Sequence, residues 1–176
     1  MAESTSRDRL QPALFDRLID EQPEQSFEAP AERTITKAKL RQSVLRDLRW
    51  LLNANAGLSH LTDEGPLAHV RSSTLNFGIR SLSGQLVSKV ELVDLERSIY
   101  QAIIDFEPRI LPDTLRVSAI AKGDPLEQHN VLEFEIYGQL WAQPFPLELL
   151  LKTDLDLETG LIELWEGGGK IADRIA

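Results

Sequence analysis

Residues that could carry out catalysis or bind a metal are sparse in this sequence. The three histidines, His60, His69 and His129, show no HxxH or HxxxH spacing, so the pattern favours surface or loop positions over metal ligands. The chain contains no cysteine, which excludes disulfides, thiolate nucleophiles and zinc sites built on cysteine. No serine stands in a GxSxG elbow. The sequence therefore predicts no catalytic residue, no metal site and no cofactor.

Phosphate-bearing ligands are also disfavoured. The glycine-rich residues 167–170 lack the first glycine of a phosphate-binding loop at its required offset, and they lack the Ser or Thr that follows the lysine. The formal net charge of −9 repels nucleic acid unless a strongly basic patch offsets it. We therefore expect neither nucleotide nor nucleic acid as a partner.

Carboxylates are plentiful, and they leave one enzymatic alternative open. A glycoside hydrolase of the muramidase type needs two carboxyl groups roughly 5–10 Å apart across a cleft. Glu133, Glu135, Asp154 and Asp156 all occupy the polar positions of alternating apolar and polar runs, which favours the solvent face of strands. The sequence does not give the separation of any pair, so the hydrolase stays the alternative.

The most distinctive local feature is the segment Phe106–Leu111, called the corner below. A helical pattern ends at its aromatic residue, and Glu107 and Arg109 then flank Pro108, whose ring stiffens the chain. The two opposite charges therefore have fixed directions. They either pair locally at a hinge between helix and strand, which composition alone favours, or form a preorganised docking point.

Helical periodicity dominates the first part of the chain. Apolar residues at helical spacing predict a short helix around Leu10–Ile19, a long helix that starts at Thr36 and closes at Asn53–Gly57, and a second long helix from near Val90 to Phe106. The short helix must pack on the domain or on a partner, because it is too short to stand alone.

Alternation with a period of two follows Pro112. The alternating runs are 115–122, 132–140, 147–157 and 161–165, and Glu158-Thr159-Gly160 reads as a hairpin connection. Helices that precede strands predict the α+β class, with N-terminal helices followed by a C-terminal, mostly antiparallel sheet of about four strands.

The length of 176 residues suits one domain with additional terminal sequence. We expect an N-terminal arm with a short helix and linker at residues 1–34, a single α+β domain at 35–166, and a flexible tail at 167–176. No run of about 18 apolar residues and no signal-peptide pattern occurs, which predicts a cytoplasmic protein.

Five segments resemble motifs of the TssE family, the baseplate subunits of type VI secretion systems, which are similar to a small baseplate wedge protein of contractile phage tails. The corner resembles the family's Glu-Pro-Arg signature. The other four segments, in the order of the family's motifs, are LFDRL at 14–18, VLRDLRWLLN at 44–53, STLNFG at 73–78 and TDLDLETG at 153–160. The chain departs from the family pattern at Ala54-Asn55, where Thr-Arg is usual, and at Thr74 and Phe77, which replace Val and Tyr.

The resemblance implies a structural subunit of a cytoplasmic baseplate on which a contractile sheath assembles. The implied partners are the wedge subunits TssF, TssG and TssK, the sheath subunits TssB and TssC, and the spike or hub. The residues expected to bind a partner are Glu107, Pro108 and Arg109. The lysozyme-like label of the family is a fold-level analogy and implies no enzymatic activity. We further expect the run Leu147–Leu157 to offer an exposed sheet edge to sheath strands.

Overall fold

The fold consists of helices packed on one face of an antiparallel sheet, as the sequence predicts. The computed structural model describes residues 10, 12–19, 23–24, 35–58, 69–81, 91–120 and 131–167. The α-helices in these residues are α1 (Leu14–Leu18), α2 (Lys37–Asn53) and α3 (Leu92–Phe106). The strands are β1 (Arg116–Ile120), β2 (Val131–Leu140), β3 (Leu147–Asp156) and β4 (Ile162–Glu166). The predictions for His60, His129, most of the linker and the tail after Gly167 fall outside the described residues.

The long helices begin and end where local chemistry dictates. Thr36 caps α2, because its hydroxyl accepts a hydrogen bond from the backbone N–H of Lys39 at 3.2 Å. Helix α3 ends at Phe106, since Pro108 disfavours helical geometry at the preceding Glu107. Both boundaries confirm the sequence prediction to within a residue or two.

The sheet is an antiparallel meander with the strand order β1-β2-β3-β4. Side chains on one face of each strand alternate with those on the other, and the inner face packs on the apolar stripes of α2 and α3. The largest fully buried side chains include Phe134, Ile136, Leu149 and Leu151 from the sheet. This arrangement confirms the α+β class. No helix in the described residues is long and apolar enough to cross a membrane.

The expectation of an exposed edge along Leu147–Leu157 is wrong. Strand β3 pairs with β2 along its whole length and with β4 from Leu151 to Leu155, so it lies inside the sheet. Alternation reports that one face of a strand is wet, but it carries no information about which strands flank it. The outer strands of the sheet are β1 and β4.

Helix side chains cover part of both outer strands. The carboxylate of Glu96 on α3 accepts the backbone N–H of Ala119 in β1 at 2.6 Å. At the opposite edge, Asn53 at the end of α2 donates from Nδ2 to the carbonyl of Ile162 and accepts its N–H at Oδ1, both at 2.9 Å. Asn53 thus makes with β4 the pair of bonds that a neighbouring strand would make.

The predicted hairpin between β3 and β4 is present. Asp156 accepts the backbone N–H of Glu158 at 2.7 Å and that of Thr159 at 3.3 Å, and Gly160 adopts a φ of 76° that favours glycine. These backbone hydrogen bonds, led by that of Glu158, lower the pKa of Asp156 below its ordinary value.

Candidate functional site

The corner joins α3 to the sheet through a buried carboxylate. Glu107 is only 4% exposed, and the guanidinium of Arg109 grips it as a fork, with Nε 2.7 Å from Oε1 and Nη2 2.5 Å from Oε2. The backbone N–H of Arg109 also donates to Oε1 at 3.1 Å. Pro108 itself is exposed. The corner therefore holds two charges in one fixed geometry, with an exposed proline between them.

Arg109 also ties the corner to α2. Its Nη1 donates to the hydroxyl of Ser43 at 3.1 Å, and its Nη2 donates to Oδ2 of Asp47 at 2.6 Å. Burial by itself lowers the pKa of the guanidinium, but hydrogen bonding and charge attraction from Glu107, followed by those from Asp47, raise that pKa above its ordinary value. The side chain therefore stays charged and held on two sides.

The same aspartate receives a second arginine. Arg46 donates from Nε to Oδ1 of Asp47 at 2.9 Å and from Nη1 to Oδ1 of Asp16 in α1 at 2.5 Å. The result is a line of alternating charges, Asp16–Arg46–Asp47–Arg109–Glu107, which we call the charge chain. It links the N-terminal arm, α2 and the corner, three segments that are far apart in sequence.

An aromatic pair reinforces the outer end of the charge chain. The guanidinium carbon of Arg46 lies 4.9 Å from the ring centroid of Phe15 and 5.1 Å from that of Trp50. The two rings meet edge to face at 5.3 Å. Helix α1 is thus held against α2 by one cation, one carboxylate and two aromatic rings.

The loop 71–80 contacts both the segment that follows α2 and the corner. Asn76 accepts the N–H of Leu58 at 2.9 Å and donates to the carbonyl of Arg71 at 3.0 Å, so it closes the loop on itself. Phe77 meets Phe106 edge to face at 5.2 Å. The family-like segment 73–78 therefore supports the corner from the side, with phenylalanine in place of the usual tyrosine.

The loop and α3 also line a cavity of about 580 Å³, which is the relevant place to consider the hydrolase alternative. Its carboxylates are Asp94, which pairs with Arg97 at 2.9 Å, and Asp105, which accepts a hydrogen bond from Gln101 at 2.8 Å. A glycosidase acid needs a carboxyl group held in apolar surroundings. Asp94 is half-buried and Asp105 is exposed, and each has a polar partner on α3 itself.

The acidic residues of the strands lie where alternation places them. Glu133, Glu135, Asp154 and Asp156 are on the sheet face opposite the core, and Glu133 stands directly across from Asp154. His69 lies exposed in a turn. Within the described residues, no group of three or more His, Cys, Asp or Glu side chains could hold a metal ion.

Sequence reasoning singled out Glu107, Pro108 and Arg109 but missed the residues that complete the network. Ser43, Arg46, Asp47 and Asp16 belong to α2 and α1, and only the tertiary fold brings them to the corner. One signal was available, because Ser43 and Asp47 stand one helical turn apart beside the apolar stripe of α2. Whether the corner binds a partner stays a prediction.

The sheet, the two helices on its inner face and the corner define an α+β domain. A comparison with protein families gives a match to the baseplate wedge protein gp25 over residues 38–144, which include nearly all of α2, α3, the corner, β1 and β2. The chain belongs to this family of phage-tail-like baseplate wedge proteins. Comparisons with curated proteins and with solved structures give no match.

Proposed function

We propose that the protein is the TssE-type baseplate subunit of a type VI secretion system, which docks wedge subunits and nucleates assembly of the contractile sheath. Membership of the wedge family supports the baseplate role. The TssE-like segments at both ends of the chain, outside the family match, support the secretion system over a phage tail. The expected wedge partners are TssF, TssG and TssK, and the setting is the bacterial cytoplasm.

The observation that carries the proposal is the double grip on Arg109. Its side chain is 22% exposed, and Glu107 and Asp47 fix the position of its guanidinium from within. Together with the exposed Pro108, it forms a rigid, charged point on the surface. Because the geometry exists before any partner arrives, docking loses little conformational entropy.

Sheath contact is proposed at the outer edge of β4. The N–H of Gly167 and the carbonyl of Leu161 face β3, so the alternate residues Leu164 and Glu166 direct their backbone groups away from the sheet. In the part of the chain that the structure describes, no strand pairs with them. A strand from TssB or TssC could therefore add at this short edge, next to the position that Asn53 occupies.

The docking role is tested with Arg109→Lys, which keeps the charge but cannot form the planar fork and reach Asp47 together. The proposal expects this variant to fold and to lose co-purification with TssF, TssG and TssK. Arg97→Lys is the matched control, because Arg97 is an exposed arginine that pairs on the surface of α3. Normal recovery of the wedge subunits with Arg109→Lys would contradict the proposal.

The muramidase alternative is tested separately. We expect purified protein to leave peptidoglycan intact in a turnover assay. Reproducible lysis that a single carboxylate substitution abolishes would establish the hydrolase instead.

A further inference from the structure

The short helix α1 shows its leucines to solvent, which is the reverse of what a short amphipathic helix normally does. Leu14 and Leu18 are 73% and 75% exposed, although a helix of five residues has no stability of its own and usually gains it by burying its apolar side chains. The preceding leucine of the same stripe, Leu10, does reach the core. The stripe is therefore divided between the protein interior and the surface.

The contacts that hold α1 explain why its leucines face outward. The inward contacts come from Phe15 and Asp16, which meet Trp50 and Arg46 on α2. The arm is also anchored before the helix, since the N–H of Ile35 donates to the carbonyl of Leu10 at 3.0 Å. Helix α1 is thus fixed in place with its leucines directed away from the molecule.

We propose that the leucine face of α1 is a docking surface for an amphipathic helix of a neighbouring wedge subunit, one whose apolar stripe is bordered by acidic residues. Leu14 and Leu18 stand one helical turn apart and form the kind of ridge that fits into the groove of a second helix. Ile19, Phe15 and Trp50 are each about half exposed and extend the apolar area.

Two exposed arginines on α1 and α2 indicate which charge the partner helix should carry. Arg17 on α1 and Arg49 on α2 are exposed, and within the described residues neither forms an ion pair. The charge chain beside them pairs three carboxylates, those of Asp16, Asp47 and Glu107, with two guanidiniums. Among the described residues, Arg17 and Arg49 are therefore cations without an ionic partner on a protein whose formal net charge is −9. This favours acidic residues at the border of the apolar stripe of the partner helix.

The charge chain links the helix that carries the leucine face to the corner. Asp47 accepts hydrogen bonds from both Arg46, which holds α1, and Arg109, which holds Glu107. Asp47 therefore helps to position both α1 and the corner for a partner that binds the corner. This step rests on the proposed function, because it assumes that the corner binds wedge subunits.

The test compares Leu14→Ser/Leu18→Ser with Leu161→Ser, whose leucine is 59% exposed after the hairpin between β3 and β4. Binding of each full-length variant to the co-produced TssF–TssG pair is measured by biolayer interferometry. We expect the double variant to raise Kd at least tenfold, and the control to change it less than twofold. Arg17→Glu/Arg49→Glu should weaken binding by a similar factor. The Kd of this variant should also depend less on salt concentration than the Kd of the wild type does.

The outcomes separate the two proposals. If Arg109→Lys weakens binding and the leucine variant does not, the docking surface on α1 is refuted while the corner proposal stands. If neither variant has an effect, both are refuted. If the double variant lowers the melting temperature as the loss of buried leucines would, the leucines serve the fold and the surface is refuted. A change from dimer to monomer in light scattering would make a second copy of this chain the occupant, which also refutes it.

Discussion

Removal of the Arg109 guanidinium should destabilise this protein more than removal of the charge it pairs with. In Arg109→Met the long stem remains, but Glu107 is left ionised at 4% exposure without its fork. In Glu107→Gln the buried site becomes neutral, and Arg109 keeps Asp47 and Ser43. Arg109→Met should be the more destabilising of the two because Glu107 is the more deeply buried partner. A buried carboxylate that loses its ion pair cannot regain hydration from solvent.

The magnitude follows from the exposure of the partners. Breaking a fully buried ion pair costs about 3–5 kcal/mol. Because the side chains of Arg109 and Asp47 are 22% and 25% exposed, water replaces some of the lost contacts, and we expect about 2–4 kcal/mol for Arg109→Met. Glu107→Gln loses mainly charge assistance, which is worth about 1–2 kcal/mol.

Urea denaturation, monitored by circular dichroism, measures the change in the free energy of unfolding for both variants. For a domain of this size the larger loss lowers Tm by about 5–15 °C. Arg97→Met is the control, since the pair of Arg97 with Asp94 is exposed and its loss should change stability by less than about 0.5 kcal/mol. Equal destabilisation by Arg109→Met and Glu107→Gln would refute the reasoning, because it would mean that the carboxylate of Glu107 is hydrated.

Three further substitutions test other parts of the fold. Asn53→Ala removes both hydrogen bonds to Ile162 and should lower the free energy of unfolding by about 1–3 kcal/mol. Gel filtration should show that the variant associates through the freed edge of β4. A monomeric variant of unchanged stability would contradict this. Asp156 has a pKa below its ordinary 3.8 in the folded state, so its stabilisation is present above that pH and lost as pH falls through the lowered pKa. The Tm difference between wild type and Asp156→Asn should therefore shrink from pH 7 to pH 3, and a constant difference would disprove it. Gly78→Ala should destabilise by about 2–4 kcal/mol in thermal melts, because φ is 124° and the new Cβ would lie 2.2 Å from the carbonyl oxygen of Ala54; wild-type stability would show that the loop relaxes freely.

Local sequence patterns were sufficient to predict the helices, the strands and the hairpin of this fold. Thr36, Pro108 and Gly160 mark a helix start, a helix end and a hairpin, and each acts through its own backbone or its nearest neighbours. Alternation likewise assigned the inner and outer faces of the strands. These features need no knowledge of distant residues, which is why the α+β class could be predicted.

The order of strands and the partners of the corner could not be predicted in the same way. Strand β3 lies inside the sheet because β4 folds back to pair with its free edge. The alternation within β3 would be the same whether or not β4 paired there. Arg109 finds Glu107 two residues away, but it finds Asp47 across 62 residues of sequence. Sequence spacing predicts the contact of Arg109 with Glu107, but it does not predict the contact with Asp47.

The charge chain has a consequence for how a baseplate subunit can use charged residues. Well-packed apolar side chains often give as much stability as a buried ion pair, so net stability is weak grounds for burying Glu107. A carboxylate held by a fork and an aspartate shared between two arginines accept few alternative geometries. We infer that the charge chain sets the directions in which α1, α2 and the corner face. A subunit that must meet several neighbours at fixed angles needs such directional bonds, because an apolar contact of equal strength would let these surfaces shift.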